Sequence, residues 1–168
     1  MSTQMANPYQ GMVSFQQALR AGVLQVYPVL SHSNLYSYVD VPAPGVKRMT
    51  YVRLGEDRRT VRAFVSCVMN GYVDGHPCIA LGYAVPEGMR NQGLARKIVK
   101  DAIKDIIVQI GRAGAKAVYV ESVVDVENVS SQRVAEVVLA VERESITDSA
   151  SGRPAYRYTK RFDTATGR

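Results

Sequence analysis

The fold is decided by the segment Leu81-Gly-Tyr-Ala-Val-Pro-Glu-Gly-Met-Arg-Asn-Gln-Gly-Leu-Ala95, in which a strand pattern ends in a turn that opens the clearest helix of the chain. From Leu94 to Ile110, apolar residues recur at three- and four-residue steps, as in an amphipathic helix. Because Gly93 and Ala95 have little or no side chain, the backbone amides at the helix start are open to a ligand, and the helix dipole adds positive potential. The segment is neither a Walker loop nor a Gly-x-Gly-x-x-Gly fingerprint. It predicts a site for phosphate oxygens, and the alternative is an ordinary strand-to-helix turn that uses a glycine.

Strand and helix patterns extend outward from this segment in both directions. The strand patterns, rich in β-branched and aromatic residues, cover Lys47–Leu54, Val61–Val68, Pro77–Val85 and Ala117–Val124. The helix patterns cover Ser14–Ala21 with Ser14 as its cap, Leu94–Ile110 ended by Gly111, and Ser130–Val141 with Asn128 as its cap. Turn-forming stretches occupy 55–60 and 70–75, a hairpin is expected over 145–163, and Val23–Gly45 is expected to be mostly irregular.

The order of these elements predicts the fold class, which is α/β (α+β). A strand, a long helix and a further strand imply a right-handed crossover, so 77–85 and 117–124 should be parallel neighbours in an otherwise antiparallel sheet. We expect a mixed, mostly antiparallel sheet with helices on both faces. Residues 1–46 should form a helix and loop of the same domain, 47–163 its core, and 164–168 a flexible tail.

The composition is that of an ordinary folded protein. The chain has 168 residues and a mass of 18.4 kDa, which favours a single domain. A content of 46% hydrophobic and 21% charged residues excludes wholesale disorder and collagen-like repeats. Met1–Gln10 has neither the basic residues nor the apolar core of a signal peptide, and no apolar run is long enough to span a membrane. We therefore expect a cytoplasmic protein without membrane contact.

Cysteine, histidine and net charge limit the classes of ligand. Only two cysteines, Cys67 and Cys78, and two histidines, His32 and His76, are present, which makes structural zinc a poor expectation, so no metal is expected. Twenty-one Lys and Arg against fifteen Asp and Glu give a net charge of +6. This charge favours an anionic partner such as nucleic acid, a ribosome surface or a phosphorylated cofactor.

Two motifs in the second half of the chain resemble those of the GNAT superfamily of acetyl-CoA-dependent N-acetyltransferases. The stretch Arg90-Asn-Gln-Gly-Leu-Ala95 matches the family's pyrophosphate signature, Arg/Gln-x-x-Gly-x-Gly/Ala. The stretch Glu127-Asn-Val-Ser-Ser-Gln-Arg-Val-Ala-Glu136 is similar to a segment in the branch that contains ribosomal-protein N-terminal acetyltransferases. The resemblance covers 82–136 by motif and 47–162 by element order.

The resemblance implies acetyl-CoA as co-substrate, a splayed pair of parallel strands, and the residues that hold the cofactor. The pantetheine arm would lie between the splayed strands beside Ala84 and Val85. The implied cofactor contacts are Ala84, Val85, Arg90, Asn91, Gln92, Gly93, Leu94, Ala95, Arg96, Asn128 and Ser131. The alternative for Asn128 and Ser131 is helix capping, which needs no ligand. Ser131 is also a catalytic candidate, because the resemblance places it against the arm or thioester.

The chain departs from the family at two points. Many members have a tyrosine where Ala135 stands, which protonates the departing thiolate, and a Gly-Phe pair after the helix, where this chain has Ala140 and Val141. The acid is therefore open between Tyr83, Tyr156, Tyr158 and solvent.

Direct attack of an amine on the thioester requires removal of a proton, a lighter demand for an α-amino group than for lysine. Glu121, in the middle of a predicted strand, is the first candidate for general base and Glu87 the second. The alternative is that Glu121 faces solvent or pairs with a cation. Cys67 and Cys78 are expected to be buried structural cysteines rather than nucleophiles.

The leading hypothesis is an N-acetyltransferase that acts on a protein or peptide amine or on a small-molecule amine, as a monomer or homodimer. Tyr36, Tyr38 and Tyr156 are candidate acceptor contacts, since the early loop and last hairpin flank the acceptor in the family. Two alternatives stay open: acetyl transfer to a nucleobase or nucleic-acid amine, and a noncatalytic binding module of the same fold. Basic residues, which include Arg153 and Arg157, cluster on the last hairpin. We interpret them as a solvated strand face rather than as a nucleic-acid contact.

Overall fold

The computed structural model describes residues 7–168, so most of the Met1–Gln10 stretch, on which the signal-peptide expectation depends, lies outside the described residues. Within the described residues there are three α-helices: α1 (Pro8–Arg20), α2 (Leu94–Arg112) and α3 (Val129–Leu139). The part of the chain from residue 7 onward also contains eight strands: β1 (Tyr27–Pro28), β2 (Tyr36–Ala43), β3 (Val46–Leu54), β4 (Val61–Val73), β5 (His76–Ala84), β6 (Ala117–Asp125), β7 (Glu144–Thr147) and β8 (Pro154–Asp163). A short 3₁₀ helix (Glu87–Met89) precedes α2.

The strands form one sheet in the order β1-β2-β3-β4-β5-β6-β8-β7. Every neighbouring pair is antiparallel except β5 and β6, which are parallel. Their pairing runs from Cys78 and Tyr119 to Leu81 and Ser122 and ends there, although both strands continue. The predicted mixed sheet with a splayed parallel pair is confirmed, and the splay opens a cleft between the carboxyl ends of β5 and β6.

Helices cover both faces of the sheet, as predicted. Successive strand residues point to opposite faces, so Phe64 packs with Met12 and Phe15 of α1 while Val65 packs in the larger core under α2 and α3. The helices therefore enclose the splayed ends of β5 and β6 from two sides.

The N-terminal third corrects two predictions. The first helix was expected over Ser14–Ala21 with Ser14 as cap, but α1 begins at Pro8 and its cap is Asn7, whose side chain accepts a hydrogen bond from the Tyr9 amide over 3.0 Å. Proline suits the first helical position because the amide it lacks has no intrahelical partner there. The expectation of a mostly irregular Val23–Gly45 holds outside its strands but missed β2, which pairs with β3 and accommodates Pro42 where its register shifts.

Two glycines, Gly71 and Gly111, do not end the elements in which they lie, although the sequence predicted a turn at the first and a helix end at the second. The turn expected over 70–75 is reduced to Asp74 and Gly75, because a register shift between Met69 and Tyr72 carries β4 past Gly71 to Val73. Gly111 does not end α2, which continues to Arg112.

A Cβ at Gly111 would lie 3.1 Å from the Cβ of Thr164, so this glycine permits close approach of the C-terminal residues. The Thr164 hydroxyl donates to the Ala115 carbonyl over 2.7 Å, which attaches the segment after β8 to the turn that follows α2. No helix within residues 7–168 combines the length and apolar content needed to cross a membrane.

Candidate functional site

A first cavity of about 1020 Å³ occupies the cleft between the splayed strands. Its walls come from the carboxyl ends of β5 and β6, the first turns of α2 and α3, the start of α1, and the turn between β7 and β8. Each wall comes from a different part of the chain, so the site exists only in the folded protein.

The turn before α2 has the geometry of an anion site. Gly93 is the N-cap of α2 in a left-handed conformation with φ of 74°, and Asn91 also has positive φ, at 63°. The first amides of a helix have no intrahelical partner and form the positive end of its dipole. Here Gly93 offers no capping side chain and the first turn carries no acidic residue, so these amides are not neutralised by the chain itself. A Cβ at Gly93 would meet no atom within 4 Å, so the turn is open on that side. These donors fit a diphosphate.

The cofactor contacts implied by the resemblance fall into two groups. Those that line the first cavity are Ala84, Val85, Arg90, Asn91, Gly93, Leu94, Ala95, Arg96, Asn128 and Ser131. Gln92 is exposed and lies outside that lining. Arg90 donates from Nε to the Val85 carbonyl over 3.4 Å, and its guanidinium lies 5.5 Å from the Tyr9 ring centroid. Arg90 thus connects the turn to the end of β5 and to α1.

Polar contacts organise the α3 side of the first cavity. The Asn128 side chain accepts a hydrogen bond from the Ser131 amide over 3.1 Å, which confirms Asn128 as the cap of α3. The Tyr83 hydroxyl donates to the Ser131 carbonyl over 2.6 Å. Burial raises the pKa of Tyr83 to about 12. Both contacts fix the first turn of α3 beside the cleft.

A second cavity of about 680 Å³ lies on the α1 face of the sheet. Its lining includes Tyr38 and Glu121. Both cavities are lined by Pro8, Leu81, Gly82, Val123 and Asp148. They therefore meet at the point where β5 and β6 diverge.

Glu121 lies on the α1 face of β6, between Ala80 of β5 and Thr159 of β8. Burial raises the pKa of its carboxyl group above the ordinary value, although Arg157 nearby has the opposite effect. Arg157 forms its ion pair with Glu144 instead, over 2.7 Å. Glu121 thus presents a half-buried carboxyl group to the second cavity. The other base candidate, Glu87, is exposed and lies outside the lining of both cavities.

Of the three tyrosines expected at the acceptor, Tyr36 and Tyr38 pack against the same apolar cluster under α1, and Tyr156 lies apart from them. Tyr38 lines the second cavity, with its ring 6.1 Å from that of Phe15. Tyr36 packs in the apolar cluster under α1 and lies outside the lining. Tyr156 is opposite Val124 in the β6–β8 register and so lies on the face away from Glu121, with the Arg143 guanidinium 3.8 Å from its ring centroid.

Sequence reasoning missed several residues of the two cavities. Asp148, in the turn between β7 and β8, lines both, and the hydrogen bond from the Ser151 hydroxyl lowers the pKa of its carboxyl group. The Asp-x-x-Ser pattern signals a turn but not its approach to the cleft. The second cavity also contains the ion pair of Asp40 with Arg48, whose Nε donates to the carboxylate over 2.9 Å.

Cys67 and Cys78 are buried, and burial raises the pKa of both thiols, that of Cys78 to about 11. Within residues 7–168, no three His, Cys, Asp or Glu side chains are placed to hold a metal ion.

No family model and no curated protein matches the sequence. Solved structures do resemble the fold. A chimera of the spermidine N-acetyltransferase SpeG from Vibrio cholerae and hSSAT aligns with a TM-score of 0.53 at 13% identity, over 94% of this chain and 92% of that chain. The ribosomal-protein-S5-alanine acetyltransferase from Vibrio fischeri also aligns with a TM-score of 0.53 at 13% identity, over 72% of this chain and 64% of that chain. At these identities the likeness establishes the fold alone, which is the GNAT-like fold expected from the resemblance in 82–136.

Proposed function

We propose that the protein is an acetyl-CoA-dependent N-acetyltransferase that transfers an acetyl group to a primary amine in a ternary complex. The observation that carries the proposal is the cleft between β5 and β6, which joins the anion site at Gly93 to the cavity that contains Glu121. The GNAT fold supports it, since the structural neighbours named above are acetyltransferases.

The residues of the first cavity can hold acetyl-CoA along its length. The amides from Gly93 to Arg96 suit the diphosphate, and the splayed ends of β5 and β6 leave room for the pantetheine arm beside Ala84 and Val85. The Val85 amide is the proposed donor to the acetyl carbonyl oxygen. Asn128 and Ser131 are proposed contacts on the opposite wall. When bound, acetyl-CoA supplies an activated acetyl group: the amine nitrogen bonds to the carbonyl carbon, the carbon–sulfur bond breaks, and the amine loses a proton.

Glu121 is the proposed general base. A carboxyl group whose pKa is raised by burial accepts a proton more readily near neutrality than an exposed one. It lines the cavity that adjoins the cleft at Gly82 and Val123, where an amine would approach the donor. Glu121 acts directly on the amine or through a water molecule.

Tyr83 and Ser131 have a positioning role in this proposal. Proton transfer from a phenol with a pKa of about 12 to a thiolate is uphill, since even a free cysteine thiol has a pKa of only about 8.5. The Tyr83 proton is also engaged by the Ser131 carbonyl. A thiolate is a good enough leaving group to depart without a general acid, so solvent can protonate it after it leaves, and Tyr83 instead holds the start of α3 beside the proposed cofactor site.

The acceptor is a primary amine, and the charges of the second cavity favour one on a cationic molecule. Its charged lining is made of three carboxylates, Asp40, Glu121 and Asp148, and one guanidinium, Arg48. The excess of negative charge attracts an ammonium group and any second cation beside it. Tyr38 is the proposed aromatic contact for the acceptor, which is a small-molecule amine or the amine of a peptide.

Two measurements test the proposal. Acetyl-CoA at about 100 times its dissociation constant should raise the free energy of unfolding by about 2.7 kcal/mol, and thiol release should require both acetyl-CoA and an amine. A panel of monoamines, polyamines and peptides then identifies the acceptor. Stabilisation without thiol release across the panel would leave a binding module, and the absence of stabilisation would contradict the proposal.

A further inference from the structure

The solvent face of α2 carries a row of positive charges beyond the anion site. Lys97, Lys100, Lys104 and Arg112, called here the cation row, are all exposed, and Arg96 precedes them at the rim of the first cavity. The helix also contains two acidic residues, Asp101 and Asp105, and both are buried with 9% exposure. The helix thus separates its charges by sign between core and solvent.

Both buried acids have partners in the core. Asp101 binds the guanidinium of Arg53 and lies 3.6 Å from His32 Nε2. Asp105 accepts a hydrogen bond from the buried Tyr51 hydroxyl over 2.6 Å. Their carboxylates are therefore directed away from the cation row. The ion pairs of lysine or arginine within residues 7–168 involve Arg48, Arg53, Arg143, Arg153 and Arg157, all outside α2.

This arrangement costs helix stability. Lys100 and Lys104 are four residues apart, a spacing at which like charges repel. Lys97 lies in the first turn, where the helix dipole disfavours a cation. Packing of the apolar face, which includes Ile98 and Ile106, offsets the cost. An anionic ligand along the row would remove the repulsion.

Acetyl-CoA does not account for the whole row. The anion site is at Gly93, and Lys104 is eleven residues further on, about 16 Å along the helix axis at 1.5 Å per residue. Lys97, Lys100 and Lys104 lie outside the lining of both cavities. The distal cations therefore lie outside the proposed acetyl-CoA site.

We propose that the cation row binds nucleic acid through its phosphate backbone. Lys97, Lys100 and Lys104 follow one another at three- and four-residue steps along one side of α2. Such a row matches a linear polyanion, and a duplex carries one charge per about 1.7 Å of its axis. The row contains no aromatic side chain to stack on bases, so binding is independent of sequence. Val108, at 46% exposure, is the one large apolar residue of α2 among the exposed ones, which offers little for insertion into a membrane. The net charge of +6 adds long-range attraction.

The test compares two double variants that lower the net charge equally. Lys100→Gln with Lys104→Gln removes the centre of the row, whereas Arg59→Gln with Arg62→Gln removes two exposed cations at the turn from β3 to β4 and the start of β4. Fluorescence anisotropy of a labelled mixed-sequence duplex is measured over a range of salt concentrations with wild type and both variants. We expect the slope of log affinity against log salt to fall by about two for the lysine variant and to change little for the arginine variant. Acetyl-CoA affinity should stay the same in both, which separates this proposal from the acetyl-transfer proposal.

Equal losses in the two variants would show that net charge alone causes binding and would overturn the proposal. It would also be overturned if polyglutamate or phosphatidylserine vesicles, at the same charge concentration, displaced the duplex as well as unlabelled duplex does. Circular dichroism of each variant confirms that α2 is folded, and Lys100→Arg with Lys104→Arg should restore the wild-type slope.

Discussion

The hydroxyl of Tyr83 donates a hydrogen bond to the backbone carbonyl of Ser131 over 2.6 Å and so joins the end of β5 to the first turn of α3. The bond spans the cleft that opens where β5 and β6 separate. It fixes the distance between the two walls on which the proposed cofactor arm depends, so the cleft is a preorganised feature of the fold.

Replacement of this hydroxyl should affect binding more than chemistry. For Tyr83→Phe we expect a loss of about 1 kcal/mol in the free energy of unfolding and weaker acetyl-CoA binding, with the pH dependence of kcat unchanged. Urea unfolding and calorimetric titration measure these effects. Tyr72→Phe, at a tyrosine with 73% exposure, is the control and should match wild type. A changed pH profile in Tyr83→Phe would instead identify the phenol as the acid.

Two substitutions at Asn128 separate its role as the cap of α3 from its proposed contact with acetyl-CoA. Asn128→Ala removes the acceptor for the Ser131 amide and should cost about 1 kcal/mol of stability. Asn128→Ser keeps a capping oxygen and should keep most of that stability. If the carboxamide also contacts the pantetheine arm, the serine variant will bind acetyl-CoA more weakly than wild type while it remains equally stable. Equal affinity would limit Asn128 to capping.

Glu121→Gln tests the proposed base. We expect kcat/KM to fall by about 10²- to 10⁴-fold with acetyl-CoA affinity unchanged. The wild-type kcat/KM should also fall as the pH drops through the raised pKa of Glu121, which lies above the ordinary 4.5, and the variant should lack this decline. Glu56→Gln removes an equal charge from an exposed glutamate in the turn after β3 and is the control. Unchanged turnover in Glu121→Gln would exclude Glu121 as the base.

Glu121→Gln should also change the free energy of unfolding in a direction that depends on pH. Because burial raises the pKa of folded Glu121, its charged form destabilises the fold at pH values above the folded pKa, and this cost is absent below the unfolded pKa. Glu121→Gln should therefore be at least as stable as wild type at pH 7, a difference that disappears in acid. A variant that is less active but not less stable is typical of a functional residue.

Gly82 should tolerate no side chain, because it lies where the two cavities meet. A Cβ there would be 3.1 Å from Cγ of Pro8, so Gly82→Ala requires the Pro8 ring at the start of α1 to shift by a few tenths of an ångström. We expect a loss of about 1–3 kcal/mol in stability and a higher KM for the amine. Gly88→Ala, at a position with nothing within 4 Å of the added Cβ, should change stability by less than about 0.5 kcal/mol. A fully stable and active Gly82→Ala would show that α1 moves freely.

The sequence was most informative where structure depends on neighbouring residues. The amphipathic pattern of α2, the glycine before it and the cap at Asn128 are local features, and the structure has all three. Prediction failed where structure depends on distant residues. β2 is a strand because it pairs with β3. Position 111 requires a residue without a side chain because Thr164 packs against it.

In the candidate site, too, the sequence predicted the features that depend on neighbouring residues and not those that depend on distant ones. The anion site follows from one segment, but which residues share the second cavity depends on strand register. Glu121 is opposite Thr159 rather than Tyr158 in the β6–β8 pair, so Tyr156 and Tyr158 fall on the other face. Alternation along one strand defines two faces without showing which one a helix or cavity occupies. Asp148 reaches the cleft only through the placement of the final hairpin.

Titration of coenzyme A into Gly93→Asn tests the central claim most directly. Asparagine tolerates the left-handed conformation of Gly93, and its side chain would enter the open space at the start of α2. Gly45→Asn is the matched control, since Gly45 has φ of 73° and nothing within 4 Å of an added Cβ. We expect Gly93→Asn to weaken coenzyme A by about tenfold or more, a loss of at least about 1.4 kcal/mol, and to leave pantetheine, which lacks the diphosphate, unaffected. Equal coenzyme A affinity in wild type and both variants would contradict the account.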